Sequence, residues 1–66
     1  MWIELSEGLF YFGQGGITAI KQIDLRDKPE SFMMRSELYV GSVKVAVVKE
    51  TMDEISAKLG GKTNEN

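Results

Sequence analysis

Apolar and polar residues alternate through the first part of the chain in the pattern expected of β-strands. Ile3 and Leu5 fall on one face of the first run and Glu4 falls on the other, which predicts a short strand. The aromatic-rich run at residues 9–12 has high β propensity. Residues 6–8, Ser-Glu-Gly, lie between the two runs, and glycine there can supply the positive φ of a tight turn. Together these features predict an N-terminal β-hairpin.

The middle of the chain predicts a third strand followed by a loop. Residues 13–16, Gly-Gln-Gly-Gly, interrupt the apolar pattern, and residues 17–25 resume it. One face of this segment would carry Ile17, Ala19, Ile23 and Leu25. The β-branched residues favour a strand, although isoleucines spaced three apart leave a helix as the alternative. Residues 26–31 are polar and hold the only proline, so they predict a surface loop.

A second hairpin is predicted over residues 32–48. The strand at 32–40 would present one apolar face, interrupted by Ser36; this face consists of Phe32, Met34, Leu38 and Val40. Gly41-Ser42 is a two-residue turn of the glycine-first type. The last strand, at 43–48, would carry Val43, Val45 and Val47 on one face.

The C-terminal helix has the clearest signals in the chain. Thr51 can cap the helix and Glu54 follows three residues later, which is the spacing of a capping box. Gly60 suits the position just after the helix. The apolar stripe of this helix is Met52, Ile55 and Leu59. Residues 61–66 are polar and predict a flexible tail.

These elements predict a small α+β protein, in which a curled antiparallel sheet of about four or five strands packs against one C-terminal α-helix. The chain has 66 residues, which is enough for a single domain, expected over residues 1–60. Hydrophobic residues make up 42% of the chain and charged residues 27%, as in ordinary globular proteins. Without cysteine the fold has no disulfides, so its stability must come from packing or from a partner chain.

The composition argues against catalysis. The chain has no histidine and no cysteine, which removes the commonest general base and every thiolate nucleophile or metal ligand. The glycine-rich segment 13–16 lacks the spacing of a phosphate-binding loop and is interpreted as a turn. The acidic residues of 24–30 alternate with Arg26 and Lys28, which predicts a charge-balanced surface loop instead of a cation site. We therefore expect a non-enzymatic protein without a cofactor or a bound metal.

Charge and hydropathy narrow the range of partners. The net charge is −2, whereas nucleic-acid-binding domains usually carry a basic excess. No run reaches the roughly 18 apolar residues of a bilayer span, and the N-terminus lacks the pattern of a signal peptide. The expected location is the cytoplasm, and the small size is typical of a bacterial or phage accessory protein.

Two segments, 9–12 and 32–34, are apolar on both faces, and a strand of this kind needs cover on both sides. Either the curled sheet wraps these residues into one core, or a second chain covers them. The second interpretation predicts a protein-interaction or regulatory module that forms a homodimer. Its candidate contact residues are Trp2, Tyr11, Met33, Arg35 and Tyr39, which combine apolar anchors with one cationic donor. The alternative is a small RNA-binding dimer with Tyr11 and Tyr39 as stacking platforms.

Overall fold

A computed structural model describes residues 1–60 as two antiparallel sheets and one helix. The first sheet pairs β1 (Trp2–Leu5) with β2 (Gly8–Tyr11). The second sheet has the order β3 (Ala19–Gln22), β4 (Ser36–Val40) and β5 (Val43–Val48). The chain then forms α1 (Met52–Lys58). The predicted α+β class is confirmed, with the strands divided between two open sheets; the predicted tail at 61–66 lies outside the described residues.

The N-terminal hairpin forms as its sequence pattern predicts. Ile3 pairs with Phe10, and both point toward the core, where Ile3 is buried. Gly8 begins β2 with a φ of +136°, the conformation that the predicted turn requires. The ladder continues one step beyond the strands, because Met1 and Phe12 exchange two backbone hydrogen bonds of 2.7 and 2.9 Å.

The third predicted strand is shorter than residues 17–25, and its predicted apolar face is wrong. Ile17 is buried, but it belongs to the junction with the first sheet, where its N–H donates to the Tyr11 carbonyl at 2.7 Å. β3 starts only at Ala19, and Ile20 is the strand residue that packs against the core, opposite Leu38. Ala19, which the pattern placed inside, is exposed because Ile20 is the core-facing residue of β3, and Leu25 is exposed because it lies beyond the end of the strand at Gln22.

The fourth strand also starts later than predicted. Residues 32–35 lie outside it, and the Phe32 N–H closes a turn onto the Pro29 carbonyl at 3.0 Å. Ser36, which appeared to interrupt the apolar face, is fully buried at the start of β4. Its hydroxyl donates to the Glu50 carbonyl oxygen at 2.7 Å, and this bond accounts for a polar side chain inside the core.

The predicted apolar face of the last strand is wrong because β5 contains a β-bulge. Leu38 pairs with Ala46, whereas its neighbour Tyr39 pairs with Lys44, so Val45 is the extra residue of β5. The bulge changes the alternation of sides along the strand. As a result Val48 is fully buried and Val45 is exposed, whereas Val43 is exposed because it lies at the end of the hairpin, opposite the exposed Val40.

The helix closes one side of the core as predicted. Thr51 and Glu54 form the expected capping box, with bonds of 3.1 and 2.8 Å, and Gly60 follows the helix with a φ of +78°. Ile55 is fully buried and Leu59 packs beside it, whereas Met52, at the start of the predicted stripe, is exposed. The buried core consists of Ile3, Leu5, Phe12, Ile17, Leu38, Val48 and Ile55.

The turn between β1 and β2 is joined to the segment that follows β5. The Ser6 N–H donates to Glu50 Oε1 at 3.1 Å, and Ser6 Oγ accepts from the Lys49 N–H at 2.9 Å. Burial opposes ionisation of Glu50, but hydrogen bonds to its carboxylate from Ser6 and from its own backbone N–H, with the charge of Lys58, outweigh this effect and lower the pKa of the carboxyl group. The hairpin is thus fixed to the second sheet at its turn.

Candidate functional site

The outer face of the N-terminal hairpin carries an apolar surface that the core does not use. The strand register places Trp2 opposite Tyr11 and Leu9 opposite Glu4, on the side away from Ile3. We call Trp2, Leu9 and Tyr11 the hairpin patch. Their exposed fractions are 63%, 62% and 39%, respectively.

The two aromatic rings of the hairpin patch hold each other in place. The ring centroids of Trp2 and Tyr11 lie 5.3 Å apart at an interplanar angle of 65°, an edge-to-face arrangement. Because this contact fixes both side chains in the free protein, a partner would meet an ordered surface and lose little side-chain entropy on binding.

The glycine-rich turn at 13–16 supports this arrangement. The backbone at Gly16 lies against Tyr11, and a Cβ built there would overlap the Tyr11 carbonyl oxygen and approach the ring carbon Cδ2 to 2.7 Å. The turn that the sequence predicts therefore also positions an aromatic residue of the patch. It places no basic side chain near a phosphate, since residues 13–16 contain none.

The hairpin patch is of moderate size and carries little charge. The exposed fractions of its side chains correspond to about 350 Å² if a whole aromatic side chain contributes about 150–250 Å². The largest apolar patch on a typical monomer covers about 300–600 Å² and is often functional. Glu4 is the only charged residue in β1 and β2, so the face attracts neither phosphate nor an acidic partner.

The other three candidate contact residues lie outside the hairpin, Met33 and Arg35 before β4 and Tyr39 within it. Met33 is 54% exposed on the segment between β3 and β4. The half-buried Arg35 turns its guanidinium inward, where Nη1 donates to the carbonyls of Phe32 at 2.8 Å and Met34 at 3.2 Å. The guanidinium group therefore binds the backbone of its own loop. The structure brings Trp2 and Tyr11 together in the hairpin, whereas Met33 and Arg35 belong to the segment between β3 and β4.

Tyr39 lies on the outer side of the second sheet within a small polar group. Its hydroxyl donates to Glu37 Oε1 at 2.8 Å, and Lys44 Nζ lies 3.4 Å from the other carboxylate oxygen. The bond from Tyr39, helped by Lys44, lowers the pKa of Glu37, and the same bond raises the pKa of Tyr39. With its hydroxyl engaged and its ring half-buried, Tyr39 is a weaker platform for a stacked base than an open aromatic ring.

A shallow apolar groove runs between α1 and the start of β3. It encloses about 430 Å³ and is lined mainly by Phe12, Ile17, Ile20, Met52 and Leu59. The groove explains why Met52 is exposed despite its place in the apolar stripe of the helix. Its polar lining is limited to the Thr18 side chain and backbone groups, so it offers no group for acid–base chemistry.

The charged loop after β3 has the balanced character that its sequence predicts. Arg26 binds Asp24 through a contact of 2.7 Å and further hydrogen bonds, which lower the pKa of that carboxyl group. Nearby, Lys21, Lys28 and Asp27 line a polar pocket of about 300 Å³. Within residues 1–60 no three carboxylates come together as a group that would hold a metal ion.

Comparison with known proteins finds no matching family model, no similar curated protein and no similar solved structure. The part of the chain that the structure describes also contains no helix long and apolar enough to cross a bilayer. Leu9 belongs to the hairpin patch although it is not among the contact residues predicted from the sequence. The turn spans only Ser6 and Glu7, one residue fewer than the predicted turn at 6–8, and this shorter turn fixes Leu9 opposite Glu4.

Proposed function

We propose that this protein is a non-enzymatic protein-interaction or regulatory module that forms a homodimer through the hairpin patch. The observation that carries the proposal is an exposed Trp2, fixed edge-to-face against Tyr11 and lying on the same face as the 62% exposed Leu9. Tryptophan and tyrosine dominate the energetics of protein interfaces when they lie near the centre of the contact. The weakly charged surroundings match the centre of an interface, where charged residues are depleted.

The size of the hairpin patch sets the strength of the association. A standard interface buries about 800 Å² on each partner, roughly twice the area of this patch. A dimer held by the patch alone would therefore dissociate readily on dilution, as transient complexes do. This concentration dependence is suited to a regulatory module, since the fraction of dimer would report the amount of protein.

RNA binding remains the second candidate, supported by exposed aromatic side chains on an antiparallel sheet. Its support is weaker for two reasons. In the edge-to-face pair of Trp2 and Tyr11, the edge of one ring covers a face of the other that a base would need for stacking, and the charged residue on their side of the hairpin, Glu4, repels phosphate. Bound nucleic acid would be detected by the absorbance at 260 nm of the protein peak on a sizing column.

The test is light scattering on a sizing column over a range of protein concentrations, with the ratio of absorbance at 260 and 280 nm recorded for each peak. The two variants are Leu9→Ser and Val43→Ser, which remove side chains of almost equal exposure, 62% and 61%. Val43 lies at the start of β5, on the other sheet, and is the matched control. We expect the wild type and Val43→Ser to approach the mass of two chains at high concentration, and Leu9→Ser to remain near one.

Three results would contradict the proposal. A wild type of one chain at every concentration would exclude the homodimer. Equal behaviour of the two variants would show that the hairpin patch is not the contact surface. A peak rich in nucleic acid, whose association weakens steeply with salt, would favour the RNA-binding alternative.

A further inference from the structure

The backbone of β1 has an open edge, and the hydrogen bonds of the hairpin show which residues form it. In an antiparallel pair, hydrogen-bonded and non-hydrogen-bonded residue pairs alternate. Met1 and Phe12 exchange both of their bonds, so Ile3–Phe10 and Leu5–Gly8 are the next bonded pairs. The N–H and C=O groups of Trp2 and Glu4 therefore point away from β2. β1 has no other strand neighbour within residues 1–60.

We propose that β1 pairs antiparallel with β1 of a second copy of this chain, about a two-fold axis at Ile3. The two hairpins then form one four-stranded sheet in the order β2, β1, β1 and β2, with both hairpin patches on its outer face. This inference rests on the proposed self-association: Trp2 of each hairpin patch lies beside the axis, next to the partner's Glu4, whereas Leu9, on β2, lies outside the new strand pair. The pairing also supplies the binding energy that the patch alone lacks, because about four backbone hydrogen bonds form across the new strand pair.

Charge determines the register of this pairing. With Ile3 on the axis, Trp2 of each chain lies opposite Glu4 of the other, and the outward groups of both residues are bonded. Centring the pair on Glu4 would place two carboxylates directly opposite each other, which destabilises a strand pair. Centring it on Trp2 would leave Glu4 outside the paired segment of β1. A shift by one residue would turn Trp2 to the other face.

The edge of β5, the longest strand in residues 1–60, is less suited to pairing. β5 also has a single neighbour, but its bulge at Val45 breaks the regular spacing of backbone groups. Bulges and lysines are devices that protect strand edges from association, and β5 has both, with Lys44 beside Val45. β1 has no bulge, and it continues directly into the exposed aromatic surface.

Proline at position 4 tests the pairing at the backbone. Glu4→Pro removes the N–H that points outward, while the bonds of Ile3 and Leu5 to β2 remain, which is the setting in which edge strands accept proline. Glu4→Ala removes the same side chain but keeps the N–H and is the matched control. We expect Glu4→Ala to dimerise like the wild type. Glu4→Pro should raise the dimer dissociation constant about tenfold or more, since a symmetric dimer loses two bonds. Far-ultraviolet circular dichroism shows whether both variants fold.

Cysteine cross-linking gives a second measurement that does not need proline to be tolerated. The chain contains no cysteine, so single substitutions report one contact each. In the proposed register Trp2 of one chain and Glu4 of the other form a hydrogen-bonded pair with Cα atoms about 5.5 Å apart, within disulfide range, and both side chains are exposed. A mixture of Trp2→Cys and Glu4→Cys chains should form a covalent dimer on mild oxidation, and Leu9→Cys, on β2, should cross-link much more slowly.

The outcomes separate this inference from the proposed function. A dimer that Leu9→Ser dissociates but Glu4→Pro does not would keep the hairpin patch and overturn the edge pairing. If Glu4→Pro fails to fold, failure of Trp2→Cys to cross-link to Glu4→Cys overturns it instead. Loss of dimer in Glu4→Pro, with rapid cross-linking of Trp2→Cys to Glu4→Cys, would establish the paired edge whether or not the patch contributes.

Discussion

Replacing Gly16 with alanine tests whether the 13–16 turn holds the hairpin patch in place. The added Cβ would overlap the Tyr11 carbonyl oxygen and come within 2.7 Å of Cδ2. The first of these atoms belongs to the backbone, and its carbonyl accepts the Ile17 N–H at 2.7 Å, so it cannot rotate away. The turn must shift, and Tyr11 must shift with it.

The expected cost follows from two opposing effects. Overpacking of this kind costs about 1–3 kcal/mol. The lower entropy of the unfolded chain with alanine returns about 0.4–1 kcal/mol. The net loss of about 1–2 kcal/mol is large for a domain of this size, whose total stability is on the order of 3–10 kcal/mol. It corresponds to a fall in Tm of about 5–15 °C.

Urea unfolding followed by tryptophan fluorescence measures both parts of this prediction. Trp2 is the only tryptophan in the chain and it contacts Tyr11, so its emission in the native state reports the geometry of the patch. Gly15→Ala is the control: Gly15 has a φ of +88°, but no atom lies within 4 Å of an added Cβ. That variant should lose stability through backbone strain and keep the native emission. A Gly16→Ala protein with wild-type stability and unchanged emission would refute the packing argument.

Three further predictions concern the contacts that hold the fold. Ser36→Ala leaves the Glu50 carbonyl without its buried donor and should lower the free energy of unfolding, measured in urea, by about 1–3 kcal/mol. Ser42→Ala removes an exposed hydroxyl and should leave the free energy of unfolding unchanged. Equal effects of the two substitutions would contradict this role of Ser36. The pKa of Glu50 is lower in the folded protein, so its stabilisation is present above the ordinary glutamate pKa of about 4.3 and is lost as the pH falls through the lowered value. The urea midpoint of Glu50→Gln should therefore fall less steeply with acidification than that of the wild type, and parallel curves would exclude this contribution. Thr51→Ala removes the helix cap and should cost about 0.5–2 kcal/mol in a thermal melt, and an unchanged Tm would argue against the capping box.

Local sequence signals predicted the elements whose partners are close in the chain. The hairpin at β1 and β2 depends on alternation and a glycine turn, and the capping box depends on Thr51 and Glu54, three residues apart. Each of these structures is determined within a few residues. The α+β class followed from them, since two hairpins and one helix leave few other arrangements.

The errors arose where a contact distant in sequence determines the side on which a residue lies. The bulge at Val45 changes the alternation of β5, and nothing within that valine-rich run marks its position. From the sequence alone Ser36 interrupts the apolar face of its strand. Its burial depends on the hydrogen bond to the carbonyl of Glu50, fourteen residues away. Ile17 follows the first sheet because it binds the backbone of Tyr11.

The same limit applies to the candidate site. Trp2 and Tyr11 were selected by residue type, and the register of a short hairpin brings them together. The orientation of Arg35 depends on carbonyls of the loop that precedes it, which composition does not reveal. Residue type therefore identified candidates, and only the fold showed which of them share a surface.

The link between Ser6 and the segment after β5 also has a consequence for the order of folding. Its two hydrogen bonds join residues 43 and 44 positions apart, whereas the pairs within each hairpin are close in sequence. Because closing a long loop is entropically costly, the hairpins should form first and dock late. Weakening the link with Ser6→Ala should then accelerate unfolding and leave the folding rate almost unchanged. The open edge of β1 would thus exist before the core is complete, and a second chain could pair with it during folding.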